Sequence, residues 1–95
     1  MILYGDVKAK LTEIRDKRTH CQCSRAKVVE KIYFDRVIEE ISHFGMAFDR
    51  KTAMNTLSEQ ADVIVERNED FRIQKIVWKY AIEVIRRADD VQIEE

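Results

Sequence analysis

Apolar residues recur at helical spacing near the start of the chain. At intervals of four, four and three positions, this first stripe contains Leu3, Val7, Leu11 and Ile14. The spacing places all four side chains on one narrow face of an α-helix, of the kind that packs against one partner helix. Asp6 suits the start of this helix and basic residues suit its last turn, so a helix is predicted over about residues 6–19.

The second apolar stripe is wider and predicts the central helix. Ser24 is an acceptable N-cap, and the apolar residues that follow cover more than half of the helix circumference. They are Val28, Val29, Ile32, Tyr33, Phe34, Val37, Ile38, Ile41 and Phe44. Gly45 readily adopts the positive φ that ends many helices, so the second helix is predicted over about residues 24–44.

The second half of the chain predicts two further helices. Asp49 can cap the third helix. Its stripe consists of Ala53, Met54, Leu57, Ala61 and Ile64. The string ERNED that follows is polar throughout, and Asn68 or Asp70 in it can cap a new helix. The two helices are therefore predicted over about residues 49–67 and 69–89.

The fourth helix carries apolar residues on two faces, which bears on assembly. Its second face consists of Phe71, Trp78, Ile82 and Ile85. A small bundle buries one stripe per helix, so this extra face predicts self-association, with a dimer favoured. Two alternatives stay open. The fourth helix is the central element of a single bundle, or one uninterrupted helix from Asp49 to about Ala88 presents its stripes to separate copies.

Length and composition agree with a single helical domain. The chain has 95 residues, of which 45% are hydrophobic and 37% charged, with no proline and only two glycines. The scarcity of residues that break helices favours helices joined by short connections, and long amphipathic helices explain the high charged fraction. The predicted fold class is all-α: a small bundle of three to four helices, completed by self-association.

No targeting or membrane segment is predicted. Ile2-Leu3-Tyr4 is followed at once by Gly5-Asp6, so no apolar run of signal-peptide length occurs near the start. Nothing approaches the roughly 20 apolar residues of a spanning helix. We therefore expect a cytoplasmic protein with reduced cysteines and no membrane partner.

Basic residues concentrate in the first third of the chain. Residues 1–36 carry nine Lys or Arg against five Asp or Glu, whereas residues 37–95 carry eight against thirteen. The connection between the first two helices is predicted to gather a basic corner of Arg15, Arg18, Arg25 and Lys27. Such a corner can bind the phosphates of a nucleotide or nucleic acid. The favoured alternative is pairing with acidic residues of the same chain or of a second copy.

The sequence His20-Cys21-Gln22-Cys23 contains residue types that bind zinc. A structural zinc site normally has four protein ligands. His43 lies at the far end of a predicted helix about 30 Å long, so it cannot join this loop within one chain. We therefore expect no metal on His20, Cys21 and Cys23. Reactive thiols are an alternative, because neighbouring basic residues lower the pKa of a cysteine.

Two acidic motifs lie on the second and third predicted helices. They read EEISH, residues 39–43, and EQAD, residues 59–62. This pair resembles the E-E-x-x-E and E-x-x-D motifs of the all-α MazG-type nucleotide pyrophosphohydrolases, although a histidine stands where the third acidic residue belongs. The resemblance implies a Mg²⁺-dependent enzyme that acts on nucleotides. The residues that would carry it are Glu39, Glu40, Glu59 and Asp62.

The sequence favours a binding protein over an enzyme. It contains no glycine-rich phosphate loop, nucleophile elbow or HExxH motif. We expect a non-enzymatic accessory or regulatory protein without a cofactor, which binds another macromolecule through a helical surface as a homo-oligomer. Two alternatives stay open: nucleotide or nucleic-acid binding at the basic corner, and the Mg²⁺-dependent hydrolysis that the resemblance implies.

Overall fold

Four helices and one very short sheet make up the described part of the chain. The structure is a computed structural model that describes residues 1–21 and 24–92. In chain order, the elements are β1 (Ile2–Leu3), α1 (Tyr4–Thr19), α2 (Arg25–Ser42), β2 (Ala47–Phe48), α3 (Arg50–Asp62) and α4 (Glu69–Arg87). The predicted fold class, a small all-α bundle, is confirmed.

Three of the helices begin at side-chain caps. The side chains of Ser24, Asp49 and Asn68 each accept a hydrogen bond from a backbone N–H in the first turn of α2, α3 and α4. All three are residue types that satisfy the otherwise unpaired amides of a helix start. Each is a candidate cap in the sequence, so these helix starts lie close to their predicted positions.

The first helix begins two residues earlier than predicted. Its N-cap is Leu3, which offers no side-chain cap, and Asp6 lies inside the first turn. The backbone N–H of Tyr4 instead donates to the carbonyl of Met46 at 2.8 Å. Pairing with β2 therefore does the work that a polar cap would otherwise do.

The third helix ends at Asp62, five residues before its predicted end. The residues after it are Val63, Ile64 and Val65, three consecutive β-branched side chains that favour extended backbone over helix. The side chain of Val63 is 77% exposed. Because α4 starts anew at Glu69, the structure does not contain the uninterrupted rod that was the alternative for this half of the chain.

The short sheet ties the start of the chain to the connection between α2 and α3. β1 and β2 are antiparallel, with Ile2 opposite Phe48 and Leu3 opposite Ala47. Ile2 and Phe48 are buried in the common core. Gly45 has a φ of 94°, and this turn lets the chain leave α2 and enter β2.

Replacing Gly45 by alanine is expected to cost about 1–2 kcal/mol of unfolding free energy, because a Cβ is disfavoured in left-handed backbone. Space is not the cause, since the Cβ of an alanine at this position would meet only the Ala47 carbonyl oxygen, at 3.8 Å. The matched control is Gly5→Ala within α1, which is expected to raise stability by up to about 1 kcal/mol. Urea unfolding of the two variants checks the opposite signs, and equal effects would contradict the assignment.

The core is built from all four helices. α1 and α2 are antiparallel, because the Tyr4 hydroxyl reaches the carbonyl of Ile38 and Arg18 reaches Glu30. α3 and α4 are also antiparallel, because Arg50 at the start of α3 donates to the carbonyl of Ala88 after α4. The buried apolar residues of the helices are Val7, Leu11, Phe34, Val37, Ile38, Ile41, Ala53, Leu57, Ala61, Ile73, Val77, Trp78, Ala81 and Ile85.

The segment after α4 is held against the start of the chain. The backbone N–H of Val91 donates to the carbonyl of Met1 at 2.9 Å, and Arg50 pairs with Asp90 at 3.3 Å. These contacts fix the position of Ala88 and Asp89, which lie between α4 and Asp90. Within residues 1–21 and 24–92, no helix combines the length and the apolar character needed to cross a membrane.

Candidate functional site

The residues predicted to form an oligomer interface are placed unequally. Trp78 is only 6% exposed and Ile85 is fully buried within the chain itself. Ile82 is half-buried against the core, and Phe71 is 39% exposed. Trp78 and Ile85 are therefore covered by their own chain and do not need a second subunit to bury them. Self-association stays a prediction, and Phe71 is the member of the set that is open to a partner.

A hydrogen-bonded chain explains how Trp78 is accommodated in the core. Its indole N–H donates to Oε1 of Gln60 on α3 at 3.0 Å, and Nε2 of Gln60 donates to Oε1 of Glu40 on α2 at 3.0 Å. The polar edge of a buried tryptophan needs such a partner. These two bonds join α2, α3 and α4.

Three of the four residues of the predicted basic corner form ion pairs within the chain. Arg15 pairs with Asp35 and Asp16. Both carboxylates raise the pKa of this guanidinium, mainly through the hydrogen bond to Asp35. Pairing within the chain was the favoured alternative for these charges, and it leaves less positive charge for an anion.

Arg25 and Lys27 in the first turn of α2 make further contacts at the basic corner. Arg25 in the first turn of α2 makes a two-pronged contact with Asp70 in the first turn of α4, at 2.6 and 2.7 Å. The hydrogen bond from Arg25 lowers the pKa of Asp70. Lys27 has its Nζ 3.9 Å from the Sγ of Cys21. Arg25 therefore joins the starts of α2 and α4, although its side chain stays 74% exposed.

Arg18 contacts both α2 and α4. It pairs with Glu30, donates from Nη1 to the hydroxyl of Tyr80 at 2.7 Å, and lies 4.8 Å above the centre of the Tyr80 ring. The hydrogen bond to Glu30 raises the pKa of Arg18. Arg18 therefore fixes the orientation of Tyr80 on α4.

The candidate zinc ligands and the carboxylates of the resemblance are not grouped together in the described chain. His20 and Cys21 are exposed, and Cys23 lies outside the described residues. Within residues 1–21 and 24–92, no three His, Cys, Asp or Glu side chains are grouped to hold a metal ion.

The two acidic motifs are kept apart by the way α3 is turned. Glu40 faces α3, but the side chain that it meets there is Gln60. Glu59 and Asp62 are exposed, and neither lines the cavity of about 370 Å³ beside Glu39 and Glu40. The four carboxylates of the resemblance therefore do not converge on a common point.

A concave groove lies between α1 and α4, with a volume of about 610 Å³. We call it the α1–α4 groove. Its apolar lining consists of Val7, Ile14, Tyr80, Val84 and Ala88, and its charged rim consists of Asp6, Lys10, Glu83, Arg87 and Asp89. Its volume lies within the range of about 300–1,000 Å³ typical of binding pockets.

Local sequence explains why α1 and α4 leave this gap. On α1, the position between Val7 and Ile14 on this face is occupied by Lys10, whose side chain extends into solvent. On α4, Ala88 is too small to fill the space opposite. The sequence showed the stripes of both helices, but it could not show that these two stripes meet incompletely.

Glu83 on the rim is expected to stay ionised to unusually low pH. The hydrogen bond from Arg86 and the charges of Arg86 and Arg87 lower its pKa from 4.5 to about 2. Because the folded pKa lies below the unfolded one, its stabilising contribution is present above pH 4.5 and is lost as the pH falls toward 2. Carboxyl NMR titration measures this midpoint. A midpoint near 4.5 in the folded protein would contradict the assignment, and Arg86→Gln is expected to raise it.

Comparison with known proteins identifies no relative of this chain. The chain matches no protein-family model, and the searches of curated proteins and of solved structures return no match. The fold and site define a small all-α bundle with one long apolar groove between two helices.

Proposed function

We propose that this protein is a non-enzymatic accessory or regulatory protein that binds a segment of a partner protein in the α1–α4 groove. The observation that carries the proposal is the groove itself, which has a volume of about 610 Å³. Its lining is apolar, and charged residues of both signs lie along its rim. Protein interfaces combine an apolar centre with a polar rim in this way. The favoured interpretation of the sequence, a helical binding surface, points in the same direction.

The two alternative functions receive less support. Phosphate binding needs basic side chains with charge to spare, yet Arg15, Arg18 and Arg25 are each engaged by a carboxylate. Metal-assisted hydrolysis needs converging carboxylates, and Glu59 and Asp62 are turned to solvent. The cavity beside Glu39 and Glu40 has a volume of about 370 Å³, smaller than the 610 Å³ of the α1–α4 groove, and neither Glu59 nor Asp62 lines it.

Self-association forms part of the proposal and has its own measurement. Phe71 is exposed beside Val63 and Val65, which line a cavity of about 320 Å³ with it. Sedimentation velocity at micromolar concentration reports the subunit number. Phe71→Glu is expected to dissociate an oligomer that uses this surface, whereas a wild-type monomer would remove self-association from the proposal.

A peptide selection tests the binding function. A displayed library of helical peptides is selected against the full chain, and the binders are mapped by amide chemical shifts in ¹⁵N-labelled protein. We expect the largest shifts at Ile14, Val84 and their neighbours. We also expect Ala88→Phe, which fills the groove, to weaken binding by at least about tenfold, or about 1.4 kcal/mol.

Ala9→Phe is the matched control, because Ala9 is an exposed alanine of α1 outside the groove lining. It is expected to leave peptide binding unchanged. Binders that map elsewhere, or a selection without binders, would overturn the proposed function. The same conclusion would follow if Ala9→Phe weakened binding as much as Ala88→Phe.

A further inference from the structure

The shape of the α1–α4 groove specifies the kind of segment that fits. Along α1 it extends from Asp6 to Ile14, and along α4 from Tyr80 to Ala88. Each span covers nine residues, so that its two ends are about 12 Å apart at a rise of 1.5 Å per residue. A bound helix of two to three turns matches this length, with apolar side chains at intervals of three and four positions facing the groove.

One end of the groove carries negative charge that the protein does not neutralise. Asp6 and Asp89 are both exposed and both line this end. Among residues 1–21 and 24–92, neither carboxylate has an ion-pair partner, whereas rim residues Lys10, Glu83 and Arg87 each have one. The negative charge is therefore available to an incoming group.

The position of Asp89 makes the electrostatic potential at this end of the groove more negative. Asp89 follows directly on Ala88, the C-cap of α4, where the helix carbonyl groups already place a partial negative charge. A carboxylate there opposes the helix dipole. The contacts of Met1 and Arg50 with the segment after α4 hold this residue at the mouth of the groove.

We propose that the occupant is an amphipathic helix of a partner protein that carries a Lys or Arg beside its apolar stripe, and that Asp6 and Asp89 receive this cation. The inference rests on the proposed function and adds the chemistry of the partner. Apolar contacts in the groove supply most of the affinity, and the carboxylates select the occupant by charge and fix its direction.

Three synthetic helical peptides test the inference. They share one leucine stripe and differ only in the residues flanking it at both ends, which are Lys, Gln or Glu. Wild-type protein is expected to bind the Lys peptide with the highest affinity, the Gln peptide with lower affinity and the Glu peptide with the lowest. In Asp6→Asn/Asp89→Asn, the preference for Lys over Glu is expected to shrink about three- to tenfold, since exposed charge pairs contribute modestly. The preference is also expected to shrink between about 50 mM and 500 mM salt.

The control variant, Glu39→Gln/Asp62→Asn, removes the same net charge from exposed positions outside the groove. It is expected to retain the preference. If all three peptides map to the groove but the Asp6/Asp89 variant keeps the full preference, the charge inference is wrong and the proposed function stands. If the control loses the preference equally, the effect is one of net charge and the inference is again wrong.

The same NMR measurement distinguishes a partner helix from two other possible occupants of the groove. Concentration-dependent shifts at groove residues without any peptide would identify a second copy of the chain as the occupant. Groove shifts produced by small apolar molecules such as benzene, with none from the peptides, would identify a small-molecule pocket. Either result would overturn both the inference and the proposed function.

Discussion

Replacing Trp78 by alanine is expected to lower the free energy of unfolding by about 3–5 kcal/mol. The indole is 6% exposed, and it is the largest side chain in the core that joins α2, α3 and α4. Truncation removes this apolar surface and leaves Oε1 of Gln60 without its donor. A native domain typically has a free energy of unfolding of about 5–15 kcal/mol, so the variant is expected to be only marginally folded.

The measurement is chemical unfolding followed by far-UV circular dichroism, because the variant lacks the only tryptophan. Ile76→Ala on the same helix is the control, since Ile76 is 42% exposed, and it is expected to lower the free energy of unfolding by less than about 1 kcal/mol. A loss for Trp78→Ala no larger than that for Ile76→Ala would contradict the burial of Trp78 within its own chain.

A second comparison separates packing from hydrogen bonding at this residue. Trp78→Phe keeps most of the apolar volume but removes the bond to Gln60, which contributes about 0.5–1.5 kcal/mol. Combining it with Gln60→Leu gives a double-mutant cycle for the pair. A coupling energy near zero would show that the bond between α3 and α4 does not stabilise the fold.

The helices were predictable from the sequence because their signals are local. Ser24, Asp49 and Asn68 are caps in the structure, and Gly45 has the positive φ expected of it. A cap or a turn depends on the few residues around it, so the chain alone indicates it. The early start of α1 was not predictable in this way, because it depends on Met46, which is distant in sequence.

The cover of each apolar face depends on the whole fold and not on local sequence. Periodicity shows that a helix face is apolar, but it does not show which element packs on it. The pattern around Trp78 predicted a second subunit as its cover, whereas α3 of the same chain supplies Gln60 as its partner. The α1–α4 groove was not predicted, because periodicity does not show how completely two apolar stripes fill the space between them. The stripes of α1 and α4 leave a gap that Lys10 and Ala88 line.

The basic corner shows why a charge count is a weak guide to a binding site. Nine basic residues in the first 36 allowed either an anion site or pairing with acidic residues, and pairing was the favoured interpretation. Asp70 lies far along the chain from Arg25, and only the fold brings the two together. Tyr80 likewise meets Arg18 across 62 positions. Long-range pairing of this kind turns a candidate site into a structural contact.

Replacing Phe34 by alanine is expected to lower the free energy of unfolding by about 3–5 kcal/mol, an effect as large as that of Trp78→Ala. Phe34 is fully buried on α2, and its ring lies 6.0 Å from the ring of Tyr80 on α4. The substitution opens a cavity behind Tyr80, which is a wall of the α1–α4 groove. The melting temperature is expected to fall by at least about 12 °C.

Two variants make the result specific to packing. Phe34→Leu keeps most of the volume and is expected to cost less than about 1.5 kcal/mol. Ile32→Ala lies on the exposed side of the same helix, with the side chain 48% exposed, and is expected to have a smaller effect than Phe34→Ala. A loss for Ile32→Ala as large as that for Phe34→Ala would mean that the outer face of α2 is covered, as it would be by a second copy of the chain. Equilibrium unfolding at two protein concentrations distinguishes the cases, because only the stability of an oligomer depends on concentration.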